Sequence, residues 1–477
     1  MGKWGRAIAV VAFVCMVGAT ACGASGDTDA NSDDDATTET TQAATDEAAA
    51  GSFGSLDGVC GDGDLKVDPE QQGIDNGMLN LGAANDRTAE ARPGLNKELW
   101  DSSVAFVEWC NAQGGIGGLQ INLVDLAGGL FNVEAAMTTA CADTFAMVGG
   151  GFVQDQLEFS GNASNDFHQC GMIDIPAFTV SEDKTGSNGM VQPNPSSVRY
   201  EVNTPIQDFE QVYPDDATSA VTLYGDIDSL VTNKDKRLQS MDDVGIDVVE
   251  SISYPVIGVT DWTPYAQKVL ESDAPMLTFL GEPANGAALL AKLKEQGWKG
   301  RALFEQNMYD PQLFSVGNTG PEGSVIRLIS HPIEEAADWP ATQQYLDLLD
   351  EYVPDHKISP LGITSMSAWL LFAVAAQECG AANDGVLTRD CVLEHAAEVD
   401  EWNGGGLHAP TDPAPTADAK PTSCGMLVEV KDGEFVRTFP EVGSEDDDID
   451  GFHCPDDGLT ELSDAGDKGK VDPSRPI

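Results

Sequence analysis

The residues best suited to chemistry in this sequence are a run of glycines and a scatter of acids, amides and hydroxyls, each just beyond an apolar stretch. Gly149-Gly150-Gly151 is followed by Phe152-Val153-Gln154-Asp155. Glycines let a backbone come close to a guest, and a helix starting near Gln156 would add unpaired N–H groups and the positive end of its dipole. A carboxylate would be held well there. A tight strand-to-helix turn would need the same glycines. Asp86 and Arg87 follow the apolar residues 79–82, and Thr179 and Ser181 stand at the end of residues 173–180. Asp226, Glu282, Glu305 and Gln306 each come just after another strand-like run. All are candidate ligand contacts, although each of the later acids, taken alone in a chain with 79 of them, reads better as a solvated loop charge.

These loops need a scaffold that brings them together. Leu95, Leu99, Ser103, Phe106, Val107 and Cys110 form one apolar stripe on a helix that ends at Gly114-Gly115, between a strand at 79–82 and a strand at 121–125. That unit is βαβ, and its right-handed crossover makes the sheet parallel. Ligands of such sheets sit at the carboxyl ends of the strands. A helix at 132–143 and strands at 145–148 and 173–180 continue the pattern. An extended link at 200–204 leads to a second run: strands at 220–224, 248–254, 276–280, 302–304 and 325–329, with helices between them. Helices at 339–352 and 361–378 and a hairpin around Asp432-Gly433 close the order. The fold class is α/β: two doubly wound lobes joined by a hinge of several crossings, near Asn203, Ser330 and Ala409. The expected bounds are 59–203 and 330–409 for lobe one, 204–329 for lobe two, 410–445 for a linker with the hairpin, and 446–477 for an acidic tail.

The stretch Phe106-Val107-Glu108-Trp109-Cys110-Asn111-Ala112-Gln113-Gly114-Gly115-Ile116-Gly117-Gly118 resembles the helix end of type I periplasmic binding proteins, the branched-chain amino acid and amide-binding family of importers. The similarity runs from about Leu79 to Phe439. The resemblance implies two lobes around a cleft, a solute bound by the glycine loop and the end of the fourth strand, and an acid near Glu305 or Gln306 that takes a substrate amino group. Phe-Val-Gln-Asp stands where amino-acid binders carry Ser or Thr. Near the start, Lys3 and Arg6 precede the apolar residues 7–18, the order of a secretory signal over 1–21. Ala19-Thr20-Ala21-Cys22 resembles a bacterial lipobox, which makes Cys22 the lipidated first residue; ordinary signal cleavage near the same place is the alternative. Residues 22–58 are Ala, Thr, Asp, Glu, Gly and Ser with almost no large apolar side chain, and read as a disordered tether.

The 477 residues carry 25 Lys plus Arg against 79 Asp plus Glu, a net charge of −54, and removing Lys3 and Arg6 with the signal leaves 23 − 79 = −56. Such a field repels nucleic acid and anionic lipid. Beyond Cys15 and Cys22 there are eight cysteines, an even number that reads as disulfides in an exported chain. Short loops favour Cys379–Cys391 and Cys424–Cys454. Neighbouring helices suggest Cys110–Cys141, which leaves Cys60–Cys170 by elimination. Asp446, Asp448, Asp450 and Asp457, with Gly451, match the spacing of a calcium loop, yet Pro455 interrupts it and a solvated acidic tail is the favoured reading, with no metal.

No G-x-S-x-G, H-E-x-x-H, Walker A or G-x-G-x-x-G occurs, and no cofactor is expected. The expectation is a monomeric, non-enzymatic, extracytoplasmic lipoprotein that captures a small polar molecule such as an amino acid or amide. Its partners would be an ABC transporter permease and, through the N-terminal lipid, the membrane, with no nucleic acid. A sensory ligand-binding protein serving a separate receptor and an exported enzyme with an interlobe site are the alternatives.

Overall fold

The computed structural model describes residues 50–463 except 91, 161–166, 169, 257, 318 and 416–418. The signal, Cys22 and most of the expected tether lie outside the described residues.

Lobe one is built on β1 (Met78–Asn85), α1 (Lys97–Ala112), β2 (Ile121–Ala127), α2 (Val133–Asp143), β3 (Ala146–Val148) and β4 (Ile173–Ile175). The strands are parallel in the order β2-β1-β3-β4, with Leu79 opposite Ile121, Leu81 opposite Ala146, and Ala146 opposite Ile173. Leu79, Leu81 and Ala83 of β1 face the main core, and Ala84 faces a smaller cluster with Met137, Met147 and Phe152. This is the alternation a strand imposes. α1 and α2 are therefore on opposite faces of the sheet.

The chain crosses through β5 (Tyr200–Val202) into lobe two: α3 (Thr204–Val212), β6 (Ser219–Gly225), α4 (Asp228–Val244), β7 (Asp247–Tyr254), α5 (Thr263–Glu271), β8 (Met276–Leu280), α6 (Pro283–Glu295), β9 (Arg301–Phe304) and β10 (Val325–Leu328). It then returns to lobe one as α7 (Pro340–Tyr352), α8 (Pro360–Ala382) and α9 (Arg389–Ala397). The hairpin β11 (Met426–Lys431) and β12 (Glu434–Phe439) completes lobe two, whose sheet runs β12-β11-β10-β9-β8-β6-β7. All five residues of β8, at the centre, are buried, as befits a parallel strand covered on both faces.

α8 is long and apolar enough to cross a membrane by length and composition, but 83% of its apolar window is buried inside the protein. Ser359 and Pro360 start it, and burial on nearly every side makes it the axis of lobe one. Trp369 stacks on Phe106 of α1 with ring centroids 5.3 Å apart, and its indole N–H donates to Ser103 Oγ at 2.9 Å.

Several expectations are corrected. The tether ends earlier than residue 58: Phe53 is fully buried in the lobe-one core, and Ser55 N–H donates to Gly405 O. The fourth strand is only three residues, because the chain leaves the sheet after Ile175. The helix expected from Gln156 is a turn through Ser160. Cys379–Cys391 and Cys424–Cys454 form as expected, but the other pairs are Cys60–Cys110 and Cys141–Cys170, not Cys110–Cys141 and Cys60–Cys170. Helices on opposite faces of a sheet cannot join their cysteines. Instead the segment before β1 lies along the end of α1, where Gly61 N–H donates to Gly115 O, and this places Cys60 beside Cys110. The acidic tail is folded as far as Ser463. β13 (Leu459–Glu461) pairs antiparallel with β5, Asn203 N–H donates to Gly458 O, and Cys454 is bonded to Cys424.

Replacing Cys424 and Cys454 by Ser should lower stability by about 2–4 kcal/mol, since the pair closes a loop and holds the C-terminal strand on the crossing. A thermal unfolding midpoint unchanged from that of the parent would show that the segment is dispensable.

Candidate functional site

In each lobe the strand order reverses beside its first strand, between β1 and β3 in lobe one and between β6 and β8 in lobe two. The loops that leave those strands splay apart there. Most of the lobe-one candidates turn inward as braces. Asp86 is fully buried, and its carboxylate accepts the N–H groups of Leu130 and Val153 at 2.8 Å each. Arg87 makes a two-pronged pair with Asp125 at 2.7 and 2.6 Å and lies 4.2 Å over the Trp100 ring. Phe152 is core. Asp155 accepts Val180 N–H at 2.9 Å and Ser181 N–H at 2.7 Å. Ser181 Oγ donates to the Asp155 carbonyl and caps the helical turn Glu182–Thr185, and Thr179 Oγ1 bonds Thr185 Oγ1 and Gln192 Oε1. Gln154 is half-buried in the same loop.

The glycines serve packing. Gly149 has φ +67°, and a Cβ there would sit 2.2 Å from the Trp369 indole nitrogen; at Gly150 it would strike the Ala84 backbone, and at Gly151 the Phe178 ring. The N–H groups of Gly149 and Gly151 are already given to Ile175 O and Ala84 O. With no helix start at Gln156 either, the expected carboxylate cradle is absent from the described residues, because its donors close the loop on itself.

Across the crevice, Asp226 is exposed and its carboxylate accepts Val256 N–H at 2.9 Å. Glu282 meets Arg92 of the lobe-one loop at 3.0 Å, and Arg92 also donates to Val256 O at 2.9 Å. These contacts bridge the lobes directly. Lys357, beside α8, adds a second bridge by reaching Glu98 of α1 at 3.0 Å and Asp310 of lobe two at 2.9 Å. Glu305 is not a free acid. Arg237 donates to one oxygen, and Arg327 donates to the other at 2.6 Å. Burial alone would raise its pKa, but the two guanidiniums overcome that and hold it below the usual carboxylate range.

One expected residue opens onto a cavity. Gln306, just beyond β9, helps line a space of about 100 Å³ between the lobes, with Phe178 beyond β4, Asn194, Arg327 of β10, Thr364 of α8 and Thr422. The Gln306 Oε1, Asn194 Oδ1 and Asn194 Nδ2 atoms are buried and have no hydrogen-bond partner among the described residues. An unpaired buried polar atom costs about 1–3 kcal/mol, so three such atoms on two residues lining one cavity call for a partner that the described residues do not supply. Asn194 was not singled out from the sequence. Its signal was Pro193-Asn194-Pro195, where two fixed rings hold one amide in a stiff loop. Arg92 was passed over in a loop where Asp86 and Arg87 drew attention.

The calcium spacing does not assemble. Asp448 accepts Cys454 N–H at 2.7 Å, and among the described residues no three His, Cys, Asp or Glu side chains gather as a metal group.

The sequence profile described as periplasmic binding protein matches residues 163–434, more than half of the chain. The protein belongs to the periplasmic binding protein family, in its type I form. Its fold is similar to that of a fatty acid ABC transporter substrate-binding protein from Thermomonospora curvata, with TM-score 0.63 and 16% identity over 78% of this chain and 94% of that one. A branched chain amino acid ABC transporter protein from Thermus thermophilus with bound valine gives TM-score 0.62 and 14% identity over 77% and 96%. A solute binding protein from Rhodopseudomonas palustris in complex with 3,4-dihydroxy benzoic acid gives 0.59 and 13% over 76% and 97%. No curated protein matches the sequence.

Burial raises the Asp155 pKa to about 6, against the pull of Lys184 and the Val180 and Ser181 hydrogen bonds. The folded value lies above the unfolded one, so folding takes up a proton between about pH 4 and about pH 6. The contribution of this group to stability is full below that window and is lost as pH rises through it. Asp155→Asn should flatten this part of the stability profile. Urea midpoints that keep the parent's slope between those pH values would place the titration elsewhere.

Proposed function

We propose that this protein is an extracytoplasmic solute-binding lipoprotein that captures a small polar molecule between its lobes and delivers it to an ABC importer. The observation that carries the reading is the interlobe cavity with orphaned amide atoms contributed by Asn194 beside lobe one and Gln306 of lobe two. A guest that satisfies both favours the closed arrangement by touching both sides, which is the differential contact that capture requires. The Arg92–Glu282 and Lys357–Asp310 bridges support closure without blocking the cavity, whose lining contains none of those four residues.

Anchoring through Cys22 fits the signal that precedes it, and the strongly acidic surface suits a soluble capture domain held off a membrane. Non-enzymatic capture fits the site, in which Glu305 is paired with two guanidiniums, Asp155 and Asp86 are committed to backbone N–H groups, and no acid lines the cavity among the described residues.

Native mass spectrometry of protein purified without refolding should show a bound small molecule. Asn194→Ala and Gln306→Ala should each weaken its rebinding by roughly 1–3 kcal/mol in calorimetry, with the thermal midpoint of the empty protein preserved. Unchanged affinity in both variants would move the site out of this cavity. Intact mass of membrane-extracted protein should give an acylated N-terminus at Cys22; any other N-terminus without acyl mass defeats the anchoring.

A further inference from the structure

We propose that the interlobe cavity selects a guest whose buried polar end is uncharged, an amide- or hydroxyl-bearing molecule rather than an amino acid or a carboxylic acid. This rests on the cavity being the solute site. Among the described residues that line it, Arg327 is the charged one. Its Nε donates to Glu305 at 2.6 Å, Glu305 also receives Arg237, and Arg237 reaches Glu201 of β5 at 3.4 Å. Two cations and two anions are thus balanced against each other at the cavity wall, with Arg237 only 5% and Arg327 18% exposed.

A carboxylate entering the cavity would meet an Arg327 whose charge Glu305 already offsets, and would lie beside the Glu305 charge. An ammonium would have to draw Glu305 away from two guanidiniums. Either ion adds a charge without a counter-charge to a half-buried network that is already balanced, a penalty away from water. Neutral groups meet no such opposition. Asn194 offers one donor group and one acceptor, and Gln306 offers an acceptor, all unpaired. A guest with N–H or O–H donors and one oxygen acceptor completes that set. Ala177, Pro195, Val202, Ile329 and the Phe178 ring supply an apolar remainder for a compact body.

The test uses isosteric pairs on the purified full chain, isobutyramide against isobutyrate and propionamide against propionate, read by thermal midpoint and calorimetry. In wild type no acid should stabilise more than its neutral partner. Glu305→Gln frees Arg327 and should bind isobutyrate at least ten-fold more tightly than wild type does. The charge-balanced double variant Glu305→Gln/Arg327→Gln should lose that gain, and it serves as the control for folding if the single variant is unstable. An acid that outperforms its neutral isostere in wild type, or a folded Glu305→Gln with no gain for isobutyrate, overturns the proposal. If wild type carries no solute in native mass spectrometry and responds to no probe while Glu305→Gln gains the acids, the solute-binding reading fails and the charge assignment stands.

Discussion

Every loop at the carboxyl end of a parallel strand must find partners for its own backbone N–H groups before it can offer anything to a ligand. That constraint consumes most of the acidic side chains around this crevice. Asp86 holds the N–H groups of Leu130 and Val153, Asp155 those of Val180 and Ser181, and Asp226 that of Val256. These carboxylates set the shape of the cleft walls. At the cavity itself the atoms left unsatisfied among the described residues are the neutral amide atoms of Asn194 and Gln306.

The same constraint explains what the sequence could and could not reveal. Two lobes of parallel strands were legible because β-branched and aromatic runs alternate with amphipathic helices, and the strand at 276–280 was legible because four of its five residues are large and apolar, as an interior strand requires. The crossing near Asn203 was legible from an extended stretch before Pro205, and Ser330 and Ala409 lie side by side, with Ser330 opposite His408. The site was harder. An Asp that braces a loop and an Asp that grips a solute look alike in one dimension, since the difference lies in which N–H groups are within reach. For Asn194 the flanking prolines signal a stiff loop, but that its amide lacks partners has no spelling in the sequence. Two cysteine pairings went astray because proximity in sequence along α1 and α2 says nothing about which face of the sheet each helix covers.

Gln306 lines the cavity just beyond β9, whereas its neighbour Glu305 is taken up by Arg237 and Arg327. One residue of register separates a neutral contact from a charged brace.

The pairing of β13 with β5 makes the connection between the lobes a laminate. Asn203 Nδ2 lies 3.1 Å from Thr460 Oγ1, Thr460 Oγ1 donates to Asp243 at 2.7 Å, and the Cys424–Cys454 bond fastens the outer ply to the strand that enters β11. Any rotation of one lobe against the other must bend both plies together, so the bare flexing of a single extended strand is denied to it. A stiff joint of this kind samples fewer arrangements before capture and surrenders less disorder when it closes. The C-terminal segment thereby belongs to the joint between the lobes, although it forms no part of the cavity wall.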